Sequence, residues 1–267
     1  MRGAGPQLPQ AVSGSRPFGS GGRRLPGRQR GAARRDFGRG SVRPADIRWP
    51  GGRPWTRLEP VNEERFDEAG DEPRFRVRAR YTENTIIVHQ AYRPGIGRAA
   101  ARHGRFPASW KRDRTTWVKP SFLWMMYRCG WATKENQETV LAVEITRDGF
   151  EWALRRSCLS HYVPDLHGDQ DTWKRQLRQA PTRVQWDPER DLRLNPLPYR
   201  SLQLGLSGEA AGRYADEWIV GIEDVTPLAR EIHGLVQAGD LDGARRLLPG
   251  ERPYPLPEGM PVHLPAA

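Results

Sequence analysis

Thr115-Thr116-Trp117-Val118-Lys119-Pro120-Ser121-Phe122-Leu123-Trp124-Met125-Met126-Tyr127-Arg128-Cys129-Gly130-Trp131 is the stretch whose reading decides the fold. From Phe122 to Tyr127 every residue is apolar or aromatic. A helix that is apolar on every side is a buried one. A central enclosed helix is therefore expected from Pro120 or Ser121, with Gly130 ending it. The same stretch sets Trp117, Trp124 and Tyr127 beside Lys119 and Arg128. Flat apolar surfaces next to fixed cations are what a site for an anionic or planar ligand needs. They are also what the middle of a hydrophobic core looks like, and the sequence leaves both readings open.

On the N-terminal side, residues 105–118 read as a basic loop carrying Arg105, Lys111, Arg112 and Arg114. Before it, Thr85 to Tyr92 is β-branched at its start and predicts a strand. Pro94 opens a helix to about Arg102, which Gly104 ends. Arg74 to Tyr81 alternates Phe75, Val77, Ala79 and Tyr81 against four arginines, the period of a half-buried strand. On the C-terminal side, Val140 to Thr146 predicts a strand, and Asp148 can cap a helix through Arg156. A loop over 159–170 leads to a short helix from Asp171 to Arg178. Strands follow at Thr182–Trp186 and Ser201–Leu206, separated by a proline-rich connection. Glu209 to Trp218 is helical. Thr226 as cap and Pro227 in the first turn start another helix, stopped by Gly239. Asp240 caps a last one to Leu248.

Strands and helices interleave without strict βαβ repeats. The pattern predicts one α+β domain over residues 73–255, built on a mixed or antiparallel sheet around the buried central helix, with residues 256–267 as a C-terminal tail.

Charge is unevenly spread along the 267 residues. The formal net charge is +11, yet residues 1–60 alone hold 13 Arg, no Lys and three carboxylates, whereas residues 61–72 hold six carboxylates and one Arg. Residues 1–72, rich in Gly, Pro, Arg and Ser, cannot bury enough apolar surface to offset their ordering entropy and are expected to be disordered. They read as a basic arm attracted to nucleic acid, as a solvated tail, or as upstream DNA translated from an early start codon. The high charge is thus poor grounds for assigning nucleic-acid binding to the folded part.

Two cysteines, Cys129 and Cys158, show no metal or redox spacing, so neither a disulfide framework nor a structural zinc is expected. The longest purely apolar run, Phe122 to Tyr127, is far short of the ~20 residues of a membrane helix. There is no apolar N-terminal stretch of signal-peptide type. A cytoplasmic protein with no membrane partner is expected.

Five segments resemble one family: Gln90-Ala91-Tyr92-Arg93, the run Thr116 to Arg128, Gly149-Phe150, Val184-Gln185-Trp186-Asp187-Pro188, and Arg200-Ser201-Leu202-Gln203. On these the chain resembles, from about 74 to 255, the bacterial and fungal family called domain of unknown function 4291. The resemblance implies no established activity.

Candidate chemistry follows from residue type and position. Lys119 and Arg128 can hold a phosphate or carboxylate, Arg through its planar fork. Trp117, Trp124 or Tyr127 can stack on a base or nicotinamide ring, and Ser121 lies between them. Gln90, Tyr92 and Arg93, at the end of a strand before a turn, are placed for a cleft, as is His89, a candidate base. Glu144 sits in an apolar strand, where burial would raise its pKa unless it faces solvent or an arginine. Gly95-Ile96-Gly97-Arg98-Ala99-Ala100 superficially meets a dinucleotide fingerprint. Pro94 precedes it, however, and no acidic residue ends a second strand where one is needed. His161, Asp165, His167 and Asp169 could ligate a metal only from a loop, since Pro164 breaks any common helical face; no metal site is assigned.

Two readings result. One is an intracellular enzyme or ligand-binding domain for a nucleotide-like, phosphate-bearing molecule. Its concrete form is an ADP-ribosyltransferase-like group transferase using NAD, with catalytic candidates His89, Glu144 and Gln203. The other is a non-catalytic domain that binds nucleic acid or protein, with the basic tail and the 105–114 loop meeting phosphates.

Overall fold

The computed structural model describes residues 74–261 and 263–264. The segment 1–72, read above as a disordered tail, lies outside the described residues.

The elements run as follows. Phe75–Arg76 (β1) and Arg78–Ala79 (β2) precede Thr85–Tyr92 (β3), Pro94–His103 (α1), Thr116–Val118 (β4) and Phe122–Cys129 (α2). Thr139–Thr146 (β5), Arg147–Arg155 (α3), Ser157–Leu159 (β6), Pro164–His167 (α4) and Gln170–Gln179 (α5) come next. Thr182–Arg190 (β7), Pro196–Leu206 (β8), Glu209–Arg213 (α6) and a π-helical turn at Tyr214–Trp218 lead to Ile219–Asp224 (β9). Thr226–Ala238 (α7), Leu241–Leu247 (α8) and Arg252–Pro253 (β10) complete the domain.

The α+β class and the buried central helix hold. One sheet has the order β3-β5-β9, all antiparallel; another runs β1-β8-β7-β6, with β4 on the same edge of β8 as β1. A bridge between His89 and Lys119 joins them, so that β9, β5, β3, β4, β8, β7 and β6 form one continuous order. The sheet is mixed: β6 pairs β7 parallel, β7 pairs β8 antiparallel.

Two cores cover its two faces. Val88, Leu141, Val143, Val184, Leu202 and Leu204 point to the side of α1 and α3. Ile87, Val140 and Ala142 point to the side of α2 and α7. The strand period of two divides each strand between these cores.

Local corrections have local reasons. The strand expected at 74–81 is two short pieces with different partners, β1 on β8 and β2 on β10. β4 lies inside the stretch read as a basic loop. The proline-rich connection is part of the β7–β8 hairpin, with Pro188 paired to Arg200 and Pro196 to Arg190. Thr146, not Asp148, caps α3, accepting from the Gly149 amide at 3.2 Å. Thr226 is the first residue of α7 rather than its cap, and its hydroxyl accepts the Val140 amide at 2.9 Å. In the expected tail over 256–267, Leu256 and Leu264 are buried in the core, following β10, which pairs with β2, and the buried Tyr254.

Candidate functional site

The site is built by strand register. His89 and Lys119 exchange both main-chain hydrogen bonds, at 2.7 and 3.2 Å. Residues paired in this way carry their side chains on the same face. The β4–β8 register runs from Thr116 opposite Leu206 to Val118 opposite Leu204, and one more step in the same register sets Lys119, just past β4, level with Gln203. Gln203 in turn pairs with Gln185 on β7. One row of side chains therefore crosses four strands: His89, Lys119, Gln203, Gln185. On β7, Arg183, Gln185 and Asp187 keep this face polar, while Val184 and Trp186 go to the core.

Lys119 is the most unusual member. It is 4% exposed, and among the described residues its Nζ donates only to the Trp117 carbonyl, at 3.4 Å. No carboxylate among the described residues lies within ion-pair distance of it. Loss of solvation, and after it the Arg128 charge, lower its pKa to about 8 against the opposing pull of Asp187. Asp187 is engaged elsewhere, accepting from Gln185 Nε2 at 3.0 Å and from Gln203 Nε2 at 2.7 Å. Beside it, the Trp117 ring lies on Gly205: a Cβ there would come within 3.0 Å of Cζ2 and Cη2. A larger residue there would push the indole off the strand by a few tenths of an ångström or more.

His89 is fully enclosed. Its Nδ1 faces the carbonyls of Lys119 and Pro120 at 3.3 and 3.2 Å, its ring meets Phe122 edge-on, and Nε2 has no partner among the described residues. Burial lowers its pKa to about 4, so the ring is neutral. Two facing carbonyls favour the tautomer protonated at Nδ1, which leaves Nε2 an acceptor.

Over this face lies α2. Ser121 caps it, accepting the Trp124 amide at 3.1 Å, and donates to Glu189 Oε1 at 2.9 Å. Trp124 is buried with its indole N–H unpartnered, and stacks on Tyr127 with centroids 5.1 Å apart. Tyr127 is 43% exposed, and the Arg190 guanidinium lies 3.6 Å from its centroid. Arg128 is exposed.

Other expected residues are placed apart. Gln90 and Tyr92 point to the opposite face. There Gln90 donates to Thr116 Oγ1 at 2.7 Å and to the Trp117 carbonyl, and accepts from the Tyr214 hydroxyl at 2.7 Å. The Tyr92 hydroxyl meets Thr116 at 3.2 Å and the Trp110 indole at 3.0 Å. These side chains hold β3 to β4 from behind. Arg93 is exposed at the start of α1. Glu144 shares the face of His89 but pairs with Ile87, and its carboxylate accepts the Thr85 hydroxyl at 2.7 Å. Among the described residues, no cluster of His, Cys, Asp and Glu could hold a metal.

The sequence reading missed an acidic pair next to Ser121. Glu189 accepts from Ser121 and from the Arg190 amide at 2.9 Å. Glu251 Oε1 accepts the Phe122 amide at 2.6 Å. Enclosure raises both carboxyls, Glu251 to about 8, with Glu189 adding to that shift. The residue Glu251 keeps some solvent-facing surface, but its carboxyl end is shut in. Alternation on β7 could have marked Asp187; nothing in the Pro-rich segment marks Glu251.

The chain matches the family described as Domain of unknown function (DUF4291) over residues 76–254, and it belongs to that family. The match spans every element of the site. No match was found among curated proteins.

Proposed function

We propose that the chain is a cytoplasmic group-transfer enzyme acting on a nucleotide-like, phosphate-bearing molecule, with ADP-ribosyl transfer from NAD as its concrete form. The observation that carries this reading is Lys119, a cation enclosed beside Arg128 without a carboxylate partner among the described residues. Burying an ammonium is costly unless an anion meets it. A phosphate supplies that anion, and Lys119 with Arg128 would grip it by charge-assisted bonds. Trp117 and Tyr127 offer flat surfaces for a ring.

The row His89, Lys119, Gln203 supports the ADP-ribosyl version. Such an enzyme needs a His or Arg on its first core strand and a late Glu or Gln to orient the acceptor. Here the two lie on one face of the sheet with Lys119 between them, and Asp187 holds the Gln203 amide. In that reaction the nicotinamide leaves with the electron pair of its bond to the ribose, the acceptor's lone pair closes on the same carbon, and the acceptor's proton passes to water. Gln203 would hold the acceptor, and Lys119 the pyrophosphate. His89 orients main chain, since Phe122 closes its ring from solvent. Glu144, held by Thr85, takes no part.

Isothermal titration with NAD, with mononucleotides and with RNA tests the proposal. NAD or a nucleotide should bind, and Lys119→Ala should weaken binding by at least about tenfold, the worth of one charge-assisted contact. Gln203→Ala should keep binding and lose transfer. Silence against all three ligands would remove the nucleotide reading.

A further inference from the structure

A second surface stands apart from the row just described. Between Arg93 and Arg114 the chain carries seven Lys or Arg and one carboxylate, Asp113. Arg93, Arg98, Arg102, Arg105, Lys111 and Arg114 are all exposed. Among the described residues none of the six has a carboxylate within ion-pair distance; only Arg112 does, forked onto Asp216 at 2.5 and 2.8 Å.

These cations stand on a fixed base. α1 turns Gly97 and Ala100 inward, with Gly97 so close to Thr139 that a Cβ there would collide, and leaves Arg98 and Arg102 outward one turn apart. The following loop is anchored by Phe106 and Trp110, stacked at 4.7 Å. The Trp110 indole donates to the Tyr92 hydroxyl at 3.0 Å. A charged surface held this way loses little freedom when it meets a partner.

We propose that this surface, from α1 through the 105–114 loop, is a docking site for the phosphate backbone of a nucleic acid. Cations without an ion-pair partner among the described residues suit phosphates and are repaid by released counterions. A membrane surface fits less well. An interfacial helix needs an apolar face to sink between lipids, whereas the apolar side of α1 is spent on the sheet and no large hydrophobic residue is exposed between 93 and 114.

The test uses the full chain and fluorescence anisotropy with labelled single-stranded RNA and with labelled duplex DNA. The triple variant Arg98→Ala, Arg102→Ala, Arg105→Ala should bind at least one of them about tenfold or more weakly. Its dependence on log salt should be shallower by about 2 to 3. A matched triple on α5, Lys174→Ala, Arg175→Ala, Arg178→Ala, removes the same charge and should leave binding unchanged. Thermal melts confirm that both triples fold. Equal weakening by both would show that net charge or the N-terminal arginines do the binding, and would overturn the proposal. So would unchanged binding by the α1 triple, or a loss confined to anionic phospholipid vesicles run in parallel.

Discussion

At the scale of single residues, the molecule keeps an expensive group where a hydrophobic one would be cheaper. Lys119 is charged at neutral pH in both folded and unfolded chains, but its folded pKa of about 8 lies below the ordinary 10.5. The folded form therefore binds fewer protons between those values. The penalty is fully present at pH 7 and is relieved only as pH rises through 8 toward 10.5. It amounts to roughly 3 kcal/mol. Lys119→Met should accordingly raise stability at pH 7, by roughly 1–3 kcal/mol after packing losses, while weakening NAD or mononucleotide binding by at least about tenfold. Urea denaturation of the variant at pH 7 measures it. A variant less stable than the parent would mean that Lys119 holds the fold rather than a ligand.

At the scale of elements, α2 is tied at its start by a residue from the far end of the chain. The Glu251 carboxyl accepts the first amide of α2, next to Glu189 and Ser121. Its pKa of about 8, against an ordinary 4.5, means that the folded form binds more protons than the unfolded one between these values. Stability from this group is complete below pH 4.5 and is lost as pH rises through 8. His89 acts with the opposite sign: with a pKa of about 4 against 6.5, it withdraws stability as pH falls through that interval. Comparing wild type with Glu251→Gln cancels the His89 contribution. The variant should lose much of the fall in stability between pH 5 and 8, a difference on the order of a few kcal/mol, read from urea midpoints. If both proteins follow the same slope, the carboxyl is not shut in.

Elements also show what a sequence can carry. β3, α1 and α2 were legible because each has a local signal: a β-branched run, Pro at the start with Gly104 at the end, and an all-apolar stretch with Gly130. β4 was not. Three residues between basic positions and Pro120 have no period to detect, and Thr116 to Val118 are a strand only because β8 lies alongside. β9 was missed for a related reason, following directly on a π-helical turn. Within the site, Lys119, His89 and Gln203 could be chosen as residue types. Their sharing one row could not, because it rests on pairings between positions far apart in the chain. The same non-local register turned Gln90 and Tyr92 away, since each is one residue out of phase with His89.

At the scale of the whole molecule, the two ends of the described chain close on each other. β2, near the start, pairs with β10, near the end, and Arg78 donates to the Glu251 carbonyl at 2.9 Å. Beyond β10 the chain continues into the core on the side of α3. Tyr254 packs edge-on against Phe150, its hydroxyl donates to Glu151 Oε1 at 2.7 Å, and Leu256 and Leu264 are buried with them. Each leucine contributes about 1.5–3 kcal/mol by burial. A chain ending at Pro255 should therefore fold with stability reduced by roughly 3–6 kcal/mol, a large share of what a domain of this size possesses. The urea midpoint should drop with little change in slope. Ending the chain at Leu248 removes β10 and the Glu251 cap as well, so it should also loosen α2, seen as faster amide exchange from Phe122 to Cys129. If the first truncation leaves the midpoint where it was, the C-terminal segment is a tail after all, and the core closes without it.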